Sequence, residues 1–302
     1  MFFVVEYNCY FERGRFFLCC HCEQNERMTI RDDMSYLFDI IIFIIGSAVG
    51  SFLNVVIFRL EKEDIVKKRS HCPSCGRVLA RRDLIPIISF FILRGRCRQC
   101  KEKISWQYPL VEAATGALFV AIFNFQIADQ IDLIYRFFII SCCVVIFVYD
   151  LRHYIIPDKV LFPAVIISLI YRLFEVSGLK AGHLLGIGSW RLEILYPYLL
   201  SAIAAAAFFL FLVLATRGRG MGPGDVKLAF LMGLILGWPD ISIALFLAFF
   251  SGAAVGLALI ALGRKTLKSQ IPFGPFLIFG TLTALFWGQS LSAWLGFLAL
   301  CG

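Results

Sequence analysis

Charge is what this chain has least of. Of its 302 residues only 17% are Asp, Glu, Lys or Arg, while 60% are hydrophobic and the mean hydropathy is +0.80. A soluble domain carries about a quarter charged residues and under half apolar ones. The deficit is also uneven: residues 1–33 hold 10 charges and residues 59–106 hold 18, so the other 221 share 22. That body is too apolar to fold in water as one globular core, which excludes a soluble enzyme, a disordered tail, a collagen and a secreted disulfide scaffold. Strict apolar–polar alternation is missing as well, which excludes a membrane barrel. No internal repeat or low-complexity tract occurs. What remains is an all-α polytopic membrane protein.

Continuous apolar runs of about 20 residues mark spanning helices, with shorter ones tolerated inside a bundle. Eight are predicted: 37–58, 109–127, 133–149, 159–174, 195–215, 226–237, 240–262 and 272–298. The sixth is short and stops at Gly237-Trp238-Pro239. The last is long enough to hide a ninth crossing after Gly288, so the number of spans beyond residue 226 stays open. Lys and Arg set the orientation. With 59–108 inside, the inside loops (59–108, 150–159, 216–227, 263–271) hold 21 of the 29 basic residues, 13 of them in the first loop. The other eight are four in the N-terminal stretch plus Arg136, Arg172, Lys180 and Arg191, so both termini are expected outside.

Residues 1–33 fit neither a signal peptide nor an ordered domain. Two readings stand: an upstream extension of a chain that starts at Met28 or Met34 rather than Met1, or a poorly ordered arm. In either, Cys9, Cys19, Cys20 and Cys22 have no part in the core function.

The first chemical motif is Cys72-Pro73-Ser74-Cys75, then 21 residues, then Cys97-Arg98-Gln99-Cys100. Two such knuckles can set four thiolates tetrahedrally around one Zn²⁺. Gly76 and Gly95 relieve the backbone where it turns around a metal. A cytoplasmic loop disfavours disulfides; a redox or merely reduced set of cysteines is the alternative. With all four positions closed, the zinc, one per chain, is a fold staple rather than a catalyst. His71 is not needed as a fifth ligand, and His21, His153 and His183 belong to no ligand spacing. Between the knuckles, residues 84–93 are apolar but too short to span, and are predicted to form an interfacial helix lying against the membrane.

The second constellation is a pair of acids in an apolar body. Asp150 closes the third span and Asp225 opens the sixth, in Met221-Gly222-Pro223-Gly224-Asp225. The span count puts both at one membrane boundary. Acids at membrane depth are costly and usually functional, and two adjacent carboxyls share a proton, as in aspartic proteases. Gly222 and Gly224 would let the backbone bring Asp225 close to substrate or to its partner. Lys227 falls on the other side of a helix from Asp225. Taken singly, each Asp reads more readily as a helix cap or a solvated boundary residue than as a catalytic one, and Asp158, after Pro157, is the better example of that. From the residues alone the pair is a candidate.

These residues together resemble the prepilin peptidases, or type IV leader peptidases, which are polytopic aspartic proteases of bacterial inner membranes. The resemblance covers about residues 46–282. It rests on Gly50-Ser51-Phe52-Leu53-Asn54 through Arg59-Leu60, both knuckles, and Ile104-Ser105-Trp106-Gln107-Tyr108-Pro109-Leu110-Val111-Glu112. It continues through Asp150 with Ile156-Pro157-Asp158, Met221 to Leu228, and Pro272-Phe273-Gly274-Pro275-Phe276. The resemblance implies that Asp150 and Asp225 are catalytic. It implies substrates that are prepilin and pseudopilin precursors, cut after a Gly at the end of a basic leader at the cytoplasmic face. It also implies methylation of the new N-terminus with S-adenosylmethionine, to which Gly95 corresponds as the loop glycine; the tight-turn reading of Gly95 stands beside this. Glu61 and Pro223 depart from the family pattern without removing a catalytic group.

The chain so divides into an extension 1–33, a first membrane helix 34–58, a cytoplasmic zinc-binding loop 59–108 and a transmembrane catalytic bundle 109–302. The basic loop is read as a topology determinant in contact with membrane lipid, and no nucleic-acid partner is expected. Oligomeric state is not legible. The competing function is a transporter or assembly scaffold in which the boundary aspartates bind a cation.

Overall fold

The computed structural model describes residues 21–60, 70–72, 74–125, 129–176, 192–218, 221–263 and 272–301; for 21–34, 81, 192–194, 289–290 and 292–301 only the backbone is described. The expectations placed on residues 1–20, on 61–69 and 264–271 of the inside loops, and on Lys180 and Arg191 lie outside these residues, as does Pro73.

The chain divides into two units, Met1–Ile41 and Ile42–Gly302. The first contributes the N-terminal part of helix α1 (His21–Arg59), which starts well upstream of the apolar run at 37. In the second unit a 3-10 turn, Arg81–Leu84, precedes a single turn of helix, α2 (Ile88–Ile92). Seven long helices follow: α3 (Gln107–Phe123), α4 (Gln130–His153), α5 (Asp158–Val176), α6 (Leu192–Ala215), α7 (Pro223–Leu236), α8 (Asp240–Ala261) and α9 (Gly274–Cys301). With α1 they correspond one to one to the eight predicted runs, and α9 is unbroken, so no ninth crossing is found within it. Among the described residues, four helices are long and apolar enough to cross a membrane: Ser35–Arg59, Gln130–His153, Leu195–Ala215 and Asp240–Ala261; α3 and the described part of α9 are shorter apolar helices. No strand occurs among the described residues, only the isolated antiparallel bridges His71–Val78 and Arg96–Lys103.

Helices in lipid gain little from burying apolar surface against each other, so close approach through small residues carries the packing. A Cβ on Gly233 of α7 would overlap the Ala202 backbone of α6, and one on Gly280 of α9 would overlap that of Ala244 of α8. These are also the helix pairs that pack along most of their length. Gly46 and Gly50 of α1 meet Gly116 and Glu112 of α3 in the same way. One apolar core joins α4, α5, α7, α8 and α9 through Ile146, Leu161, Leu228, Ala244 and Leu277. A second joins α1, α3 and α4 through Ile57, Val111, Ile122 and Tyr149.

The predicted interfacial helix over 84–93 is shorter than expected. Pro86 lacks an N–H and Ile87 takes φ +59°, so only five residues wind into α2.

Candidate active site and metal centre

Asp150 lies in the last turn of α4, which closes where Tyr154 turns left-handed and gives its N–H to the Asp150 carbonyl. Asp225 stands at the third position of α7, after Pro223, whose missing N–H is harmless in a first turn. Both are buried, with 4% and 8% of their surfaces exposed. They lie at the same end of the second unit, near enough that the charge of Asp150 acts on Asp225.

Each carboxylate is held by one backbone N–H from a glycine. Gly222, the N-cap residue itself, donates to Asp225 Oδ2 at 3.1 Å, so Asp225 closes the first turn from the third helical position rather than as the N-cap. Asp150 accepts the N–H of Gly274, the first residue of α9. A Cβ at Gly274 would stand 2.5 Å from Asp150 Oδ2, so only glycine lets α9 approach this closely. The sequence reading used Pro272–Phe276 only for its resemblance and missed Gly274 as part of the site. The signal was a Pro-flanked glycine opening an apolar run.

Gly224 meets the side chain of Ile156, at 3.2 Å from a would-be Cβ, and so packs the segment opening α7 against the one that follows α4; Gly222 meets nothing nearer than 3.9 Å. Lys227 does point away from Asp225. Its Nζ donates to both oxygens of Asp158, each at 2.8 Å. On the other side of Asp150, Arg152 lies over the Phe58 ring at 4.5 Å, and Phe58 stacks on Tyr108 at 5.1 Å, joining α1 and α3 to this end of α4. The opposite end of α4 borders a cavity of about 580 Å³ lined by Asp132, Tyr135, Tyr171 and Arg172. Arg172, expected as an outside surface charge, is buried there and donates to the carbonyls of Leu234 and Ile235, capping α7.

The four predicted cysteines do converge. Their sulfurs all lie within 4.8 Å of one another, with Cys72 and Cys100 at 3.8 Å and no disulfide among them. Four sulfurs about 2.3 Å from a central zinc stand about 3.8 Å apart in a tetrahedron, so the set fits one such ion. The knuckles repeat one design. Cys72 donates to Arg77 O and Gly76 to Cys72 O; Cys97 donates to Glu102 O and Lys101 to Cys97 O. Gly76 (φ +70°) and Lys101 (φ +61°) occupy equivalent left-handed positions, so the glycine of the first knuckle has a lysine as its counterpart. The N–H groups of Cys100 and Gln99 hold the Cys97 thiol well below its ordinary range, at about 6.

Gly95 is left-handed too, at φ +65°, and a Cβ there would press on the Phe90 ring at 3.1 Å. Phe90 packs against Trp106, with centroids 4.8 Å apart. The turn reading of Gly95 therefore has a concrete partner.

A multi-pass helical membrane protein with paired carboxyls at one end of its bundle and a four-thiol centre in its first loop is the class these features define. Residues 44–125 match the bacterial peptidase A24 N-terminal domain, and residues 137–257 match the type IV leader peptidase family. The prepilin leader peptidase/N-methyltransferase of Bacillus subtilis is 31% identical over 253 residues, 83% of this chain and 95% of that protein. That of Aeromonas hydrophila is 31% identical over 86% of this chain and 94% of its own length. That of Myxococcus xanthus is 35% identical over 78% and 67%. The chain belongs to the prepilin leader peptidase/N-methyltransferase family. No solved structure matches it.

Proposed function

We propose that this chain is a membrane aspartic endopeptidase that removes the leader of prepilin and pseudopilin precursors after a Gly, and then N-methylates the new N-terminus. The observation that carries the reading is the buried pair Asp150 and Asp225, drawn from two helices to one end of the bundle, each with a backbone N–H on its carboxylate. In the proposed reaction one carboxylate takes a proton from water, which attacks the scissile carbonyl, while the other, protonated, polarises that carbonyl. Collapse of the tetrahedral species breaks the C–N bond, and the departing amine takes a proton from the dyad. The pair titrates as a unit, so neither role belongs to one residue alone. Gly222 and Gly274 would each hold one carboxylate in place through a backbone N–H.

Cys72, Cys75, Cys97 and Cys100 would hold Zn²⁺, which would supply no chemistry beyond stapling a loop too small to keep its shape by core burial. S-adenosylmethionine would donate the methyl group, and Gly95 would serve that step by shaping the loop around Phe90 and Trp106. The proposed setting is the bacterial inner membrane, with the zinc loop and dyad toward the cytoplasm, as the bias of Lys and Arg supports.

The test is to incubate membranes carrying the wild-type, Asp150→Asn or Asp225→Asn chain with a synthetic precursor and S-adenosylmethionine, and to take intact masses. The wild type should yield a product lacking the leader and carrying one methyl group, and either variant should leave the precursor uncut. Normal processing by either variant, with the chain shown to be folded, overturns the dyad and favours the transporter or scaffold reading.

A further inference from the structure

The apolar segment between the knuckles leaves most of its large side chains exposed. Phe90 is buried, but Leu84, Ile85, Ile88, Phe91 and Ile92 are exposed, the last two at 61% and 69%. What covers them follows from depth. Ile87 donates its N–H to Glu112 Oε2 at 2.7 Å. Glu112 is the sixth residue of α3, about a turn and a half in from its start. With 17 residues, α3 is about 25 Å long, shorter than a hydrocarbon core of about 30 Å. Its first turns therefore already lie at the edge of the hydrocarbon, and the bond to Glu112 puts the Ile87 backbone at that level. Phe91 lies beside Trp106, and Leu110 on the first turn of α3 is 63% exposed, so the two apolar surfaces adjoin at the same end of the helix.

The backbone and the charges agree with that placement. A β-branched residue at φ +59° is strained and persists only where its surroundings hold it. Near hydrocarbon no water is at hand for a backbone N–H, so a protein acceptor is required. Glu112, buried and also bonded to Ser51, provides one. Exposed Arg82 on one side and Arg94 and Arg96 on the other flank the apolar stretch, where their stems can lie along it and their guanidinium groups can meet anionic head groups.

We infer that residues 84–92 form an apolar plate seated in the lipid leaflet on the cysteine-loop side, covered by acyl chains beneath anionic head groups and tethered to α3 by the bond from Ile87 to Glu112. The inference needs only that α3 lies in the membrane, so it stands apart from the catalytic reading. It makes Glu112 a positioning residue for the loop.

To test it, a diazirine amino acid is placed at Phe91 in the full chain, reconstituted into phosphatidylglycerol–phosphatidylethanolamine vesicles and photolysed. Ile44, exposed on α1, serves as the lipid-facing control and Gln99, on the second knuckle, as the solvent-facing one. Lipid adducts by mass spectrometry should form at Phe91 with a yield near that at Ile44 and well above that at Gln99. Adducts at Phe91 no more frequent than at Gln99 overturn the plate. So does an adduct that switches from lipid to an added prepilin-type precursor, which would make this a peptide-docking surface. In the Phe91 probe background, Glu112→Gln keeps an acceptor and should retain the lipid adduct, whereas Glu112→Leu should lower it at least several-fold. Equal yields in the two variants overturn the tether while leaving the wild-type measurement to decide the plate.

Discussion

Lys227 Nζ sits 2.8 Å from both carboxylate oxygens of Asp158, joining the segment that carries Asp225 to the one that follows Asp150. The pair is half open to solvent, with side-chain exposures of 41% and 52%. Its stabilising worth is therefore about 1 kcal/mol or less, and its use is to hold two loops in register.

Lys227→Met is expected to slow precursor cleavage by about fivefold or less, the rate equivalent of that energy. The double change Asp158→Lys with Lys227→Asp should recover part of the loss, because it re-forms the pair. Single-turnover rates for the four chains of the cycle give the coupling directly, and a coupling of zero removes the pair from the site's support.

The glycines around the dyad should rank by the room each leaves. Gly274→Ala brings a Cβ within 2.5 Å of Asp150 Oδ2 and must shift the carboxylate or α9. Cleavage should fall on the order of tenfold or more, since misplacement by even 1 Å is that damaging. Gly224→Ala presses on Ile156 at 3.2 Å and should fall between the extremes; Gly222→Ala meets nothing nearer than 3.9 Å, keeps its N–H, and should be the mildest. Initial rates at matched expression check the order, and a Gly274→Ala chain as active as Gly222→Ala would contradict the placement of α9.

Purified full-length chain should contain one zinc, measured by inductively coupled plasma mass spectrometry. Cys72→Ser combined with Cys100→Ser should abolish it and expose residues 70–106 to protease. Four loop cysteines found paired as disulfides in metal-free protein would sink both the ligand set and the cytoplasmic placement. Lys101→Gly should slow chelator-driven zinc loss, because it relieves a left-handed residue worth roughly 1 kcal/mol.

Gly95→Ala should impair methyl transfer more than cleavage, because its Cβ displaces Phe90 from Trp106 rather than touching the dyad. Phe90→Ala, which removes the same packing from the other side, should share that phenotype. Product masses with and without the methyl increment separate the two activities. A normal Phe90→Ala chain would argue that Gly95 acts some other way.

The elements that were legible in the sequence are those whose signal is one-dimensional. Length and apolarity marked eight runs that fold as eight helices, because a helix near lipid must satisfy its own backbone along its whole length. Paired C-x-x-C spacing marked Cys72, Cys75, Cys97 and Cys100, because the reach of a knuckle is local. Asp150 and Asp225 stood out because ionisable groups are rare at that depth. Local readings failed where chain chemistry competed: Pro86 and Ile87 cut the helix expected over 84–93 to one turn, and Lys101 took a left-handed turn that composition would give to glycine.

The sequence by itself thus determined the class of protein, the thiol set and the two candidate carboxyls. The long-range contacts around them emerge only when the helices pack: Gly274 on Asp150, Asp158 on Lys227, Glu112 on Ile87, and Arg172 on the end of α7. Each joins parts of the chain that no local pattern relates. They meet because small residues let particular helices approach backbone to backbone, and that choice of neighbours depends on the shapes of two surfaces at once.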